Sequence, residues 1–146
     1  MGQSETTIND IIIELEKIVF EAQGKITEKK IENAIAEKLR DSFGTRKIHQ
    51  QYHIAGFWGL KIDIDFNDGE FGIEVKLLEE LLKNATTAQR LMGQLLYYNR
   101  RQYGEDLILV VAGDPKLEED AALCEIQKMS EEIGRFVFLP IYNPET

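Results

Sequence analysis

The spacing of apolar residues predicts two helices at the start of the chain. Thr7 is a suitable N-cap for the first helix, and Gly24 is expected to end it. Thr27 is a suitable N-cap for the second helix, which runs to about Phe43. The apolar positions that form one face of each helix are Ile8, Ile11, Ile12, Leu15, Ile18 and Val19, then Ile31, Ala34, Ile35 and Leu39.

The pattern then changes to the alternation that is typical of strands. Residues 46–54 are predicted as one strand, residues 60–66 as a second and residues 71–75 as a third. The dipeptide Asp68-Gly69 separates the last two and is a strong signal for a two-residue turn. We therefore expect an antiparallel hairpin here.

A helical stretch follows the hairpin. It is expected to break near Asn84, to resume with Thr86 or Thr87 as its cap, and to run to about Tyr103. Gly104 is a natural C-terminal cap for it.

The end of the chain predicts a β-α-β unit. Residues 106–112 form a continuous apolar strand, DLILVVA, which is typical of a sheet interior. A helix over residues 117–133, closed by Gly134, and a strand over residues 135–140 complete it. The order ααβββαβαβ predicts an α/β sandwich around a central mixed sheet.

Composition changes this picture little. A chain of 146 residues, 43% of them hydrophobic, is expected to form a single domain with one sizeable core. Its one cysteine, Cys124, has no partner for an intrachain disulfide. Neither a signal peptide nor an apolar run of about 20 residues is apparent, so the expected location is the cytoplasm and no membrane partner is expected.

Charge is more informative. A net charge of -9 argues against nucleic-acid binding, since such proteins usually have a basic surface. Its distribution is uneven, however: residues 42–62 and 81–104 contain no acid and carry +3 and +4, whereas residues 63–80 between them carry -6. A further -7 lies in residues 105–146.

The hairpin turn fixes which residues face each other. A two-residue turn at Asp68-Gly69 pairs residues whose numbers add up to 137. One side is then apolar and should be core, with the pairs Phe66 and Phe71, Ile64 and Ile73, Ile62 and Val75. The other side has the pairs Asp65 and Gly72, Asp63 and Glu74, Lys61 and Lys76.

Asp63 opposite Glu74 is a destabilising pair of like charges. A proton on one carboxyl or a divalent cation between the two would relieve the repulsion. Lys76 points to the same side and is suited to stabilise charge that develops on a phosphate. The alternative is a solvated hairpin face without chemistry, but the helix and apolar strand that follow favour a central, covered hairpin.

Asp63 followed by Gly72-Ile73-Glu74-Val75-Lys76 resembles the motif of the PD-(D/E)XK nucleases, the restriction-endonuclease-like superfamily. The resemblance covers residues 27–112, with residues 1–26 as a helical extension and residues 113–146 as a C-terminal helix and strand. Ile62 stands where the family has its proline, which is often absent. The resemblance implies a single-domain, three-layer sandwich.

It also implies roles for the residues. Asp63 and Glu74 would bind Mg²⁺ or Mn²⁺, with the Val75 carbonyl as a further ligand, and Lys76 would position the attacking water. Several family members carry another ligand on the preceding helix. Glu32 is our choice and Glu37 its rival, although a solvated helix face is the alternative for both.

The helix after the hairpin also resembles part of this family. Gln94 with Tyr98 resembles a Gln and Tyr pair in the nuclease domains of some recombination helicases, which implies a catalytic role for Gln94. The alternative is an amphipathic helix whose aromatic residues simply pack. Expected nucleic-acid contacts are Lys61, Arg90, Tyr98 and Arg101.

The functional hypothesis is a metal-dependent nuclease that acts on DNA, with RNA second. An alternative is a binding or assembly module that keeps the fold without turnover. A homodimer is expected in either case, and a third possibility is a purely structural homodimer with an exposed aromatic surface around Phe57-Trp58 and Tyr97-Tyr98. Trp58 could stack on a base, with packing in the core or in a dimer as the favoured alternative. The sequence leaves open whether the chain is an active enzyme.

Overall fold

A computed structural model describes residues 5–22, 25–56 and 58–143. Its helices are α1 (Ile8–Glu16), α2 (Glu28–Phe43), α3 (Leu78–Lys83), α4 (Ala85–Tyr98) and α5 (Ala121–Glu131). Its strands are β1 (Phe20–Glu21), β2 (Ile48–His53), β3 (Lys61–Phe66), β4 (Phe71–Leu77), β5 (Leu107–Gly113) and β6 (Arg135–Tyr142). The predicted order is therefore confirmed, with β1 as an addition.

The strands form one mixed sheet in the order β1-β6-β5-β4-β3-β2. β2, β3 and β4 are antiparallel, whereas β4, β5, β6 and β1 are parallel. One apolar core joins α1 and α2 to one sheet face, and a second joins α3, α4 and α5 to the other. The chain is thus a single α/β domain with helices on both faces of the sheet. Across the described ranges, no helix is long and apolar enough to cross a membrane.

The helix starts predicted at Thr7 and Thr27 are confirmed, because each side chain accepts a hydrogen bond from a backbone N–H three residues later. α2 also ends at Phe43 as predicted. α1 ends at Glu16, before the predicted position, because the chain must extend to pair β1 with β6. The predicted stop at Gly24 lies outside the described residues, as does Phe57.

The break near Asn84 is confirmed, but its cap is different from the prediction. Asn84 itself caps α4 by accepting a hydrogen bond from the Thr87 N–H at 2.8 Å. A π-helical turn, Asn99–Tyr103, follows α4 and ends at Gly104, whose φ of 57° suits the predicted C-terminal cap. α5 begins at Ala121 rather than residue 117, because Asp120 is its cap.

The predicted hairpin register is confirmed over three pairs: Phe66 and Phe71, Asp65 and Gly72, Ile64 and Ile73. The turn is longer than predicted. Asn67, Asp68 and Gly69 all have positive φ, and the Glu70 N–H donates to the Phe66 carbonyl at 3.1 Å. The turn has four residues instead of two, but the numbers of paired residues still add up to 137, so the register is the predicted one.

The two faces of the hairpin switch beyond Ile64, which the alternation did not predict. β2 and β3 pair on both sides of Gln51 and Asp63, and Gln51 has a left-handed φ of 55°. This distortion turns Ile62 away from Val75 and into the core beneath α4. The predicted pairing of Ile62 with Val75 on one face is therefore wrong, although both side chains are buried.

Candidate active site

Where the two faces of the hairpin switch, Asp63 and Glu74 are linked by hydrogen bonds between carboxylates and backbone N–H groups. The Val75 N–H donates to Asp63 Oδ2 at 2.8 Å, and the Asp63 N–H donates to Glu74 Oε1 at 3.4 Å. Carboxylate oxygens thus accept hydrogen bonds where a regular ladder would use backbone carbonyls. The predicted neighbourhood of the two acids is present, on strands that separate at this point.

The two acids differ in exposure, since Glu74 is buried and Asp63 is half-buried. Glu74 is only 3% exposed, and burial, followed by the charge of Asp63, raises its pKa well above the usual value. Burial also raises the pKa of Asp63, against the opposing effect of the Val75 N–H and the Gln51 amide. A solvated hairpin face does not describe these two residues. Two coupled carboxyls that resist ionisation are a common mark of a functional site.

Lys76 connects this pair to the surface. Its Nζ lies 3.8 Å from Glu74 Oε2, and 23% of its side chain is exposed. Lys76 also lines a surface cleft of about 360 Å³, together with Glu28 and Thr87. The Lys76 side chain therefore lies next to Glu74 and also lines a cleft that solutes can enter.

Glu32 is buried beside the pair, and its rival Glu37 is exposed. Glu32 Oε1 accepts from the Gln51 side-chain amide at 2.8 Å, and the same amide nitrogen lies 3.2 Å from Asp63 Oδ1. Glu32 Oε2 accepts from Gln50 and from Lys29. The solvated-face interpretation is thus wrong for Glu32, which is linked to Asp63 through Gln51.

Sequence reasoning missed Gln51. Its side chain reaches Asp63 only because its backbone adopts a left-handed conformation, which is uncommon for residues other than glycine. No local pattern indicates that conformation, since a strand of alternating polar residues predicts an extended backbone.

The residues predicted on α4 divide into two groups. Tyr98 is 1% exposed and packs with Leu91 and Leu95, and its hydroxyl donates to the Lys61 carbonyl at 2.9 Å. Tyr98 as a nucleic-acid contact is therefore wrong for this conformation, because its ring belongs to the core. Gln94 lies one turn earlier and is half-buried; within the described part of the chain it makes no hydrogen bond to either carboxylate.

The predicted basic contacts are all at the surface. Lys61, Arg90 and Arg101 are exposed. Arg101 Nε donates to the Ala55 carbonyl at 3.3 Å, so it anchors the loop between β2 and β3. That contact and the Tyr98 to Lys61 hydrogen bond join the two acid-free stretches of the chain on the α4 side of the sheet.

A third hairpin acid, Asp65, has a structural role. It is fully buried, and it accepts hydrogen bonds from the Tyr103 hydroxyl at 2.6 Å and from the Gly69 N–H at 3.0 Å. Burial raises the pKa of Asp65. These contacts tie the hairpin turn to the segment after α4, so Asp65 is not among the candidate catalytic groups.

The donor set suits a hard divalent cation only in a sparse form. Within residues 5–22, 25–56 and 58–143, no group of three or more His, Cys, Asp or Glu side chains is arranged to hold a metal ion. Two carboxylates, a backbone carbonyl and water make a ligand set that Mg²⁺ accepts, because this ion usually keeps several waters. Asp63 and Glu74 supply two carboxylates at this position, whereas Glu32 is already engaged by Gln50, Gln51 and Lys29.

Comparison with protein-family models, with curated proteins and with solved structures gives no match for this chain.

Proposed function

We propose that the chain is a metal-dependent phosphodiesterase that cleaves nucleic acid, DNA in the first place and RNA second. The observation that carries the proposal is the pair formed by the buried Glu74 and the half-buried Asp63, with Lys76 Nζ 3.8 Å from Glu74 Oε2. The pair lies on a hairpin that is followed by a helix and a parallel strand, an arrangement that resembles the restriction-endonuclease-like fold.

Asp63, Glu74 and the Val75 carbonyl would hold Mg²⁺ or Mn²⁺. Such an ion would supply Lewis-acid activation of water and neutralise part of the phosphate charge. Lys76, open to the cleft on one side, would hydrogen-bond the attacking water or a phosphate oxygen. Gln51 would fix the Asp63 carboxylate, since its amide donates to both Asp63 and Glu32.

Nucleic acid is the preferred substrate because of the positions of the basic side chains. Residues 42–62 and 81–104 contain no acid, and contacts on the α4 side of the sheet join them next to β3. Lys61, Arg90 and Arg101 are exposed in these stretches and would contact the phosphate backbone. A polyanion is the ligand class that such a distribution attracts.

Metal binding and cleavage together test the proposal. Mn²⁺ is expected to raise the melting temperature (Tm) of the wild type, and labelled DNA is expected to be cleaved only in its presence. Asp63→Asn is expected to remove both effects, and Lys76→Met is expected to keep the metal-induced shift while losing cleavage. Glu105→Gln, which removes an exposed acid, is the matched control. The proposal fails if the wild type shows no Mn²⁺ shift and cleaves neither single-stranded, duplex nor branched DNA.

A second candidate, a binding or assembly module without turnover, is favoured by the sparse ligand set. Glu32, the nearest further carboxylate, is saturated by amide and lysine donors in the described structure. DNA binding that persists without any cleavage, and without a metal-induced Tm shift, would support this module. The module is excluded if Asp63→Asn loses both the Tm shift and cleavage while Lys76→Met keeps the shift and loses cleavage.

A further inference from the structure

Trp58 is exposed although it is the largest apolar side chain of the protein. It has 64% of its surface exposed and stacks on Tyr97, with ring centroids 4.9 Å apart and planes inclined by only 7°. Parallel stacking covers one face of the indole and leaves the other available. The exposed indole and the ring stacked on it form an aromatic patch, which is more informative than a single exposed apolar side chain.

The loop around Trp58 is built to hold it there. Ile54 is fully buried, and its N–H donates to the Leu60 carbonyl at 2.9 Å, which closes the loop at its base. Arg101 donates to the Ala55 carbonyl at 3.3 Å. Gly56 has a φ of 150° and packs so closely on the Tyr97 hydroxyl that a Cβ at this position would collide with it. These contacts anchor the segment before Trp58 to Tyr97 and Arg101.

This aromatic patch is connected to the candidate active site through Tyr98 and β3. Tyr97 precedes Tyr98, whose hydroxyl donates to the Lys61 carbonyl, and Lys61 lies two residues before Asp63 on β3. Trp58 is five residues before Asp63, which limits the distance between their Cα atoms to about 18 Å. A single strand of about 4–16 nucleotides, the usual length bound by one small domain, would reach both.

We propose that Trp58, backed by Tyr97, is a stacking platform for an unpaired nucleobase, so that the substrate is single-stranded or carries an unpaired end. The inference rests on the proposed function and adds its substrate class. An unpaired base offers a free π-face, whereas a base inside a duplex has both faces covered by its neighbours. The loop contains no acid, Arg101 lies at its Ala55 carbonyl and Arg90 is exposed on α4, which suits the phosphates on either side of a stacked base.

Trp58 reports on its own occupation, because it is the single tryptophan of the chain. Its fluorescence is measured during titration, in chelator, with an oligothymidylate of about 12 nucleotides, with an abasic strand of the same length and with a blunt duplex. Quenching by the oligothymidylate alone supports the platform. Equal responses to the oligothymidylate and the abasic strand, or to the duplex, would overturn it.

Two variants separate stacking from folding. Trp58→Ala is expected to weaken oligothymidylate binding about ten-fold, measured by anisotropy of a labelled strand. Leu96→Ala removes another exposed apolar side chain, 43% exposed on α4, and is expected to leave binding unchanged. Both variants should melt as the wild type does. An unchanged affinity in Trp58→Ala contradicts the proposal.

The inference and the proposed function fail in different ways. Asp63→Asn is expected to keep the quenching while cleavage is lost, and quenching by a protein that never cleaves would uphold the platform without the nuclease. Cleavage of blunt duplex as fast as single strand, with no quenching, would uphold the nuclease and overturn the platform. A Trp58 emission that changes on dilution of the protein alone would identify a contact between two copies, and it would also overturn the platform.

Discussion

Glu74 is held in a position where its charge is costly. Its folded-state pKa lies well above the unfolded value, mainly because of burial and then because of Asp63. Below the unfolded pKa both states are protonated, and the site carries no penalty. As the pH rises above that value, the unfolded chain releases its proton first, so the stability contributed by the site falls. This loss is expected at the neutral pH at which a metal ion would offset the charges.

Glu74→Gln is therefore expected to stabilise the metal-free protein at pH 7 by on the order of 1 kcal/mol, or about 2–4 °C of Tm. The amide keeps the acceptor for the Asp63 N–H and removes the charge that opposes Asp63. The gain should shrink towards pH 4, where the wild-type carboxyl is protonated. Thermal melting in chelator at both pH values measures it.

Glu105→Gln is the control, because Glu105 is an exposed acid that is not one of the proposed metal ligands. It should change Tm little at either pH. A Glu74→Gln protein that melts below the wild type at pH 7 would contradict the interpretation of Glu74 as an energetically strained group.

At this scale the sequence predicted the residues better than their geometry. The two-residue turn signal gave the register, and the register was enough to bring Asp63 near Glu74 and Lys76. Gln51 was beyond reach, because its role depends on a left-handed backbone that no alternation indicates. Tyr98 was misplaced because its role followed the family resemblance, although Leu91, Leu95 and Tyr98 have the i, i+4, i+7 spacing of a core-facing stripe.

Helices and strands were predicted correctly where local interactions determine their ends. They were missed where pairing with a distant strand determines them. Thr7, Thr27 and Gly104 mark helix ends through their own hydrogen bonds or backbone conformation. The two-residue strand β1 has no such mark, because it forms only by pairing with β6 more than 100 residues later. The same competition shortened α1.

The packing of the hairpin against the segment after α4 can be tested with two glycines. A Cβ on Gly72 would lie 2.6 Å from Ile62 Cδ1 and 2.6 Å from Tyr103 Cε2, whereas a Cβ on Gly93 in α4 would meet nothing within 4 Å. Gly72→Ala is expected to destabilise the protein by roughly 1–3 kcal/mol. Gly93→Ala is expected to stabilise it by up to ~1 kcal/mol, because alanine is the better helix former.

Chemical denaturation of both variants measures the two free energies of unfolding. The added Cβ would displace the ring of Tyr103, whose hydroxyl donates to Asp65, so Gly72→Ala should perturb that buried hydrogen bond as well. A Gly72→Ala variant that is as stable as the wild type, or more stable, would mean that the close contact at Gly72 is not tight in solution.

Over the whole molecule, the net charge of -9 is distributed along the sheet. The acids of the C-terminal region, among them Glu118, Glu119 and Glu125, lie exposed on or before α5, which packs on β6. The basic stretches meet near β3, on the other side of β4 and β5. The -6 of residues 63–80 lies between the two basic stretches in the sequence and includes Asp63 and Glu74.

Nucleic-acid affinity is therefore expected to depend on a divalent ion. In chelator, the hairpin carboxylates repel phosphate; one such charge at about 10 Å and an effective dielectric constant of about 20 contributes on the order of 1–2 kcal/mol. Ca²⁺, which occupies oxygen sites and usually supports little phosphodiester cleavage, should tighten oligonucleotide binding roughly ten-fold at fixed ionic strength. Anisotropy of a labelled strand in Ca²⁺ and in chelator measures the difference.

Two variants identify the origin of that dependence. Glu74→Gln should bind more tightly than the wild type in chelator and gain little from Ca²⁺, because the opposing charge and half of the ligand pair are gone. Glu125→Gln removes an acid on the distant α5 and should keep the full Ca²⁺ response. If the wild type binds equally well in chelator and in Ca²⁺, the basic stretches hold the nucleic acid without the hairpin. A binding module would then describe the chain better than a nuclease, because the carboxylate pair would have no part in holding the substrate.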